Sequence, residues 1–166
     1  LQQCADAILR LRAEYLRETG GEISFHATSG DPLPWSRYRD GERPYVVDDR
    51  IRWRAGNQAG TWEGYLSAVF TWAGSASLQQ YETRPRTEPV PGLVLVRGGF
   101  PGHAVLLLDV ARKNDETYLL IGQSFMPAQD FHVDLGPHAG WWRWEDTMSL
   151  SSWTFQKKDL RAFRPG

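Results

Sequence analysis

The chain has 166 residues, 41% of them hydrophobic and 23% charged, with 19 basic and 20 acidic side chains and a formal net charge of −1. That is the composition of an ordinary globular domain with apolar mass for a core, and it supplies no global positive field to recruit nucleic acid or an anionic membrane. No run of 18 apolar residues marks a transmembrane helix, and the single cysteine, Cys4, excludes an internal disulfide framework.

The chain opens at Leu1 without a methionine or a charged-then-apolar leader, which reads as a fragment or a processed form. The first element in chain order is a helix over residues 3–18. Cys4, Ile8, Leu11 and Tyr15 recur on one face, and Gly20-Gly21 closes it. A short strand, "EISFHATS", carries His26 and ends at Gly30-Asp31-Pro32. Residues 31–60 read as a long loop broken by proline and glycine. Arg37, Arg39, Arg43, Arg50, Arg52 and Arg54 alternate there with Trp35, Tyr38, Tyr45 and Trp53. A basic-aromatic surface can hold nucleic acid or sugar, but Asp40, Glu42, Asp48 and Asp49 interleave the arginines and favour local ion pairs.

A second helix is predicted over 61–73, with Trp62, Leu66, Val69, Phe70 and Ala73 as its stripe. Ser75 can cap a third, short one. Then the texture changes. "LVLVRGG", "HAVLLLDVA" and "TYLLIGQSF" are three apolar runs separated by short polar turns, the pattern of neighbouring antiparallel strands. The tail from Gly140 is mixed, a last strand plus a helical turn. Helices followed by a meander predict an α+β fold, with the Cys4 helix packed on an antiparallel sheet built on residues 93–135 of a single domain, 1–166.

The motifs for common chemistries are missing. There is no HExxH, no GxxxxGK[ST] and no GxSxG, so the sequence supports no metal, phosphate-cradle or serine-hydrolase reading, and no cofactor is expected. What remains is Cys4 with His103. A thiolate is the nucleophile, and a helix N-terminus and an imidazole are the two features that generate one. Cys4 opens the first helix. His103 stands where "GGFPG" enters the central strand. A third polar group must orient the ring, and Gln123 lies within a couple of residues of facing it, with Ser124 and Asp130 as substitutes, because a one-residue slip in register swaps faces. Against this stands the ordinary fate of a lone cysteine, burial as a small hydrophobe beside Ile8, Leu11 and Tyr15.

Five blocks, "LQQCADAILRLRAEYL", "FHATSG", "YLSAVFTWAGSASL", "GGFPGHAVLLLDVA" and "GQSFMPAQDFHV", resemble a bacterial family described only as a domain of unknown function, family 4846, whose members are mostly exported or lipid-anchored envelope proteins. The resemblance implies a cell-envelope location and an N-terminal portion missing from this chain. A helix-borne Cys, "GHAVLLLDV" and a hairpin ending in a polar residue are also similar to papain-like cysteine hydrolases of the NlpC and CHAP types. By that likeness Cys4 is the nucleophile, His103 the base and Gln123 the orienting residue of an enzyme cutting amide or peptide bonds of peptidoglycan. Gln3-Cys4 stands where those enzymes have Asp-Cys or Asn-Cys, and Gln is an uncommon third member. Gln3, His26, Trp35 and Trp141 are the candidate substrate-binding residues, Gln3 as an oxyanion donor and the tryptophans as walls for a peptide or glycan. The competing expectation is a non-catalytic envelope module that binds glycan or peptide in the same cleft.

Overall fold

The computed structural model describes residues 2–165; Leu1, which opens the cysteine block, and Gly166 lie outside them. The elements in chain order are α1 (Cys4–Thr19), β1 (Ser24–His26), β2 (Pro32–Pro34), α2 (Trp35–Arg39), β3 (Glu42–Val47), β4 (Arg50–Ala55), α3 (Trp62–Trp72) and α4 (Ser75–Ser77), which runs into a π-helical turn at Leu78–Glu82. β5 (Thr83–Pro85), β6 (Val94–Arg97), β7 (His103–Lys113), β8 (Glu116–Gln123), β9 (His132–Asp134), β10 (Trp142–Arg143), β11 (Thr147–Ser149), β12 (Thr154–Gln156) and β13 (Leu160–Phe163) follow, with a 3₁₀ turn at Lys157–Asp159. The chain mixes helices with antiparallel sheets. The main sheet has the order β10-β8-β7-β6-β13-β5, and β9 pairs with β8 as well.

The central strands β6 and β7 form because their apolar residues serve both faces. Val94, Val96 and Ala104 point to one side, where they pack with Ile8 and Leu9 of α1. Leu95, Val105 and Leu107 point to the other, where Leu119, Ile121, Met148, Leu150, Phe155 and Leu160 close a second core. The near-continuous apolar run is therefore the expected reading of a strand covered on both sides. Each fully buried Leu, Ile or Phe there contributes about 1.5–3 kcal/mol relative to exposure.

Three expectations change. The buried residues of α1 are Ala5, Ala7, Ile8, Leu9, Ala13 and Leu16, not the Cys4, Ile8, Leu11, Tyr15 face: the small alanines let the helix lie close to the sheet, and Tyr15 is left exposed. Residues 31–60 are not a loop but contain α2 and the β3–β4 hairpin, closed by Asp48 and Asp49, both at positive φ. Asp tolerates that left-handed geometry, which a two-residue hairpin turn requires. The sheet also reaches outside residues 93–135, recruiting β5, β10 and β13.

Several arginines of residues 31–60 have local partners: Arg37 and Arg39 of α2 pair with Glu42 and Asp40, and Arg50 of β4 pairs with Asp31. Arg43 donates to the carbonyls of Tyr38, Glu42 and Gln58. Among the described residues no helix is long and apolar enough to cross a membrane.

Candidate active site

Cys4 is the first residue of α1, and Gln3 precedes it as the N-cap. The first amides of a helix lack intrahelical partners, and Cys4 stands among them. Burial, the largest influence, pushes the Cys4 thiol above its ordinary pKa. The N–H groups of Ala104, Ala5 and Cys4 itself favour the thiolate, and the Asp6 carboxylate opposes it. The helix start alone predicts a lowered pKa; desolvation outweighs it. Asp6 accepts the Gln3 N–H at 3.2 Å, which offsets only part of the burial that raises its own pKa.

The Ala104 amide belongs to the residue after His103, so the sulfur sits at the mouth of β7. His103 is buried, 1% exposed. Phe125 meets its ring edge-on at 5.1 Å, and Trp153 and Phe155 cover it at 5.6 and 5.9 Å. Gly102, which delivers the chain into β7, has no room for a Cβ: one would lie 2.3 Å from Ser75 Oγ and 2.7 Å from the Arg97 carbonyl. Burial lowers the His103 pKa below the usual imidazole value, while the hydrogen bond to Gln123 and the charge of Asp134 act the other way.

His103 Nε2 lies 3.0 Å from Gln123 Oε1. A β-bulge makes that contact. Near the turn Asp109 pairs with Leu120; beyond the bulge Leu107 pairs with Ile121 and Leu106 with Gly122, so Leu108 is the extra residue. Without it the turn-proximal register would continue to set Ser124 opposite Val105. With it Gln123 takes that place, on the face His103 shares with Val105. Ser124 turns to the other face, where its hydroxyl reaches the Gln129 carbonyl. Asp130 meets His132 instead, through its own carbonyl.

Gln123 is oriented in turn by groups that no local pattern in the sequence announces. Its Nε2 donates to Ser151 Oγ at 3.3 Å, and Ser151 donates to Asp134 Oδ1. Ser152 Oγ donates to Gln123 Oε1 at 2.7 Å. A carboxylate only accepts, so the Ser151 proton is committed to Asp134 and Ser151 offers Gln123 only lone pairs. This turns the Gln123 NH₂ toward Ser151 and its carbonyl toward His103. An amide oxygen only accepts, so the ring nitrogen 3.0 Å from it must donate: Nε2 carries the ring proton and Nδ1 holds the free lone pair. The result is a neutral imidazole, locked in one tautomer, with its basic nitrogen unengaged by this relay. Among the described residues no hydrogen bond joins the His103 ring to the Cys4 thiol; the ring's side-chain neighbours at bonding distance are Gln123 and Ser152.

The other candidate residues lie elsewhere, Gln3 excepted, which flanks Cys4. His26 pairs with Glu82. Trp35 belongs to an aromatic cluster with Tyr38, Trp62 and Tyr65. Trp141 lines a shallow depression with Ala111, Lys113, Tyr118 and His138. Among the described residues none of these three shares a hydrogen bond or an aromatic contact with Cys4, His103 or Gln123. Among the described residues no group of three His, Cys, Asp or Glu side chains could hold a metal ion.

A family model described as Domain of unknown function (4846) matches residues 1–162. Comparison with curated proteins finds no match, and neither does comparison with solved structures. The chain belongs to the domain of unknown function 4846 family.

Proposed function

We propose that this family member is a papain-like cysteine hydrolase of amide or peptide bonds in the bacterial cell envelope, with a peptidoglycan-type substrate. The observation that carries the reading is the locked His103–Gln123 pair at the mouth of β7, beside a helix-start cysteine whose sulfur faces the Ala104 amide. In this reading Cys4 Sγ attacks the scissile carbonyl and its proton passes to His103 Nδ1. Gln123 Oε1 keeps hold of the Nε2–H, and first-turn amides of α1 receive the oxyanion. The C–N bond then breaks, the imidazolium returns the proton to the leaving amine, and water cleaves the thioester with His103 again as base. Both pKa directions favour neutral partners at rest, so the proton moves during attack rather than before it. Phe100 and Met126, both exposed, lie in the loops entering β7 and leaving β8 and offer apolar contact to a substrate.

The second reading is a non-catalytic module that binds envelope peptide or glycan at the same place. The absence of a hydrogen bond between Cys4 and His103 favours it. Iodoacetamide alkylation of Cys4 from acid to alkaline pH separates the two, in the wild type, His103→Ala and Gln123→Ala, alongside solubilisation of purified sacculi by wild type and Cys4→Ala. The hydrolase reading expects faster alkylation when His103 is present and sacculus cleavage that is lost with Cys4. Equal alkylation in all three proteins, with no sacculus cleavage that depends on Cys4, overturns it and leaves the binding module.

A further inference from the structure

A second polar cluster lies around a cavity of about 240 Å³ between the C-terminal half of α1, β1, the Leu78–Glu82 turn and the end of β13. Its charged lining is Arg12, Glu22, Glu82 and Arg164, with His26 beside them. Glu82 is the buried member, its side chain 10% exposed. One oxygen, Oε1, accepts both from the His26 N–H at 2.6 Å and from the His26 ring at Nδ1, 3.0 Å away. Among the described residues Oε2 has no protein partner, yet it is not sealed off, so it opens into the cavity that Glu82 lines. Burial raises the Glu82 pKa above the usual carboxylate range in spite of the His26 hydrogen bonds and the nearby Arg164 charge. That is the behaviour of a carboxyl group short of donors. Arg12 donates to the Arg164 carbonyl at 3.0 Å and lies over the Phe163 ring at 5.0 Å, which holds its guanidinium at the wall.

We propose that this cavity binds a free α-amino acid with an apolar side chain, its ammonium group on Glu82 Oε2, its carboxylate between Arg12 and Arg164, and its side chain against Leu16, Phe25 and Phe163. Charge selects the class. The wall carries two acidic and two permanently basic side chains. A simple anion meets Glu22 and Glu82, a simple cation meets Arg12 and Arg164, and a neutral molecule leaves both signs unanswered; a molecule bearing both charges can set each against its opposite. Size agrees, since the volume lies below the range of about 300–1,000 Å³ typical of drug-sized ligands. The site is separate from Cys4 and does not depend on its chemistry.

Titration calorimetry of the whole chain against the common free amino acids tests the proposal. Apolar amino acids bind, and N-acetylation or C-amidation of the tightest binder weakens it about ten-fold or more. Glu82→Gln keeps an oxygen for His26 while removing the charge, and Arg164→Ala changes an exposed side chain; each weakens binding about ten-fold. Cys4→Ala binds as the wild type does. No binding by any amino acid, equal binding of a blocked derivative, or binding indifferent to both substitutions overturns the proposal.

Discussion

His103 and His26 each stand in a strand with a side-chain partner on one ring nitrogen, and the partners differ in charge. His103 meets the neutral amide of Gln123, itself held by Ser151, Ser152 and Asp134. His26 meets the carboxylate of Glu82 directly. A neutral partner fixes orientation and tautomer without supplying charge, which suits a group that must take up a proton and return it. A carboxylate partner brings charge into its cavity and, with one oxygen spare, suits a site that holds a charged ligand. The difference teaches that the ring matters less than the group that anchors it.

The largest expected effect breaks the comparison outright. Under the hydrolase reading, His103→Ala lowers sacculus cleavage by about 10²–10⁴-fold, while His26→Ala leaves initial rates unchanged. The reverse pattern would move the chemistry to the Glu82 cavity.

Next in size is packing. Phe155 is fully buried, stacks on the His103 ring and belongs to the core shared by β7, β8 and β13. Phe155→Ala costs about 3–5 kcal/mol in urea unfolding. Phe163, only partly buried at the rim of the other cavity, costs clearly less. Equal costs would mean that His103 has no more rigid a setting than His26.

A smaller effect sharpens the contrast. Ser151→Ala leaves the Gln123 amide and Asp134 each short of a partner, at a cost of about 1–3 kcal/mol. The specific readout is the His103 side-chain ¹⁵N spectrum. One tautomer, protonated at Nε2, is expected in the wild type, and a mixture in Ser151→Ala. A single unchanged tautomer in both would show that Ser151 and Asp134 do not set the ring.

Much of this was legible in the sequence. The apolar runs marked β6, β7 and β8, and Cys4 at a helix start, His103 at a strand mouth and Gln123 near it were readable from position. The register was not, because Leu108 bulges inside an apolar run that carries no mark of an extra residue, and that one residue decides between Gln123 and Ser124. Ser151 and Ser152 were invisible for another reason: they come from a mixed tail, and only the β11–β12 hairpin, folded over the second core, brings them to Gln123. Trp35 suggests a cleft wall by its size, but its ring packs on Trp62 and Tyr65, a cluster that spacing does not reveal.

The smallest effect concerns pH and rests on the opposed shifts of Cys4 and His103. The proposed reaction needs one proton shared by the pair. A second proton adds to His103, whose affinity burial reduces, so the acid limb of activity falls below the free imidazole value of about 6.5. The shared proton is lost from Cys4, whose thiol burial raises, so the alkaline limb lies above the free thiol value of about 8.5. The plateau between them is broad. Asp6→Asn narrows it from the alkaline side alone: it removes a charge that opposes the thiolate while leaving an oxygen for the Gln3 N–H. The iodoacetamide midpoint of Cys4 should therefore drop by a fraction of a pH unit, with the acid limb unmoved. A midpoint that stays put would leave burial as the whole cause of the raised thiol, and a shift of both limbs would place Asp6 within reach of His103 as well.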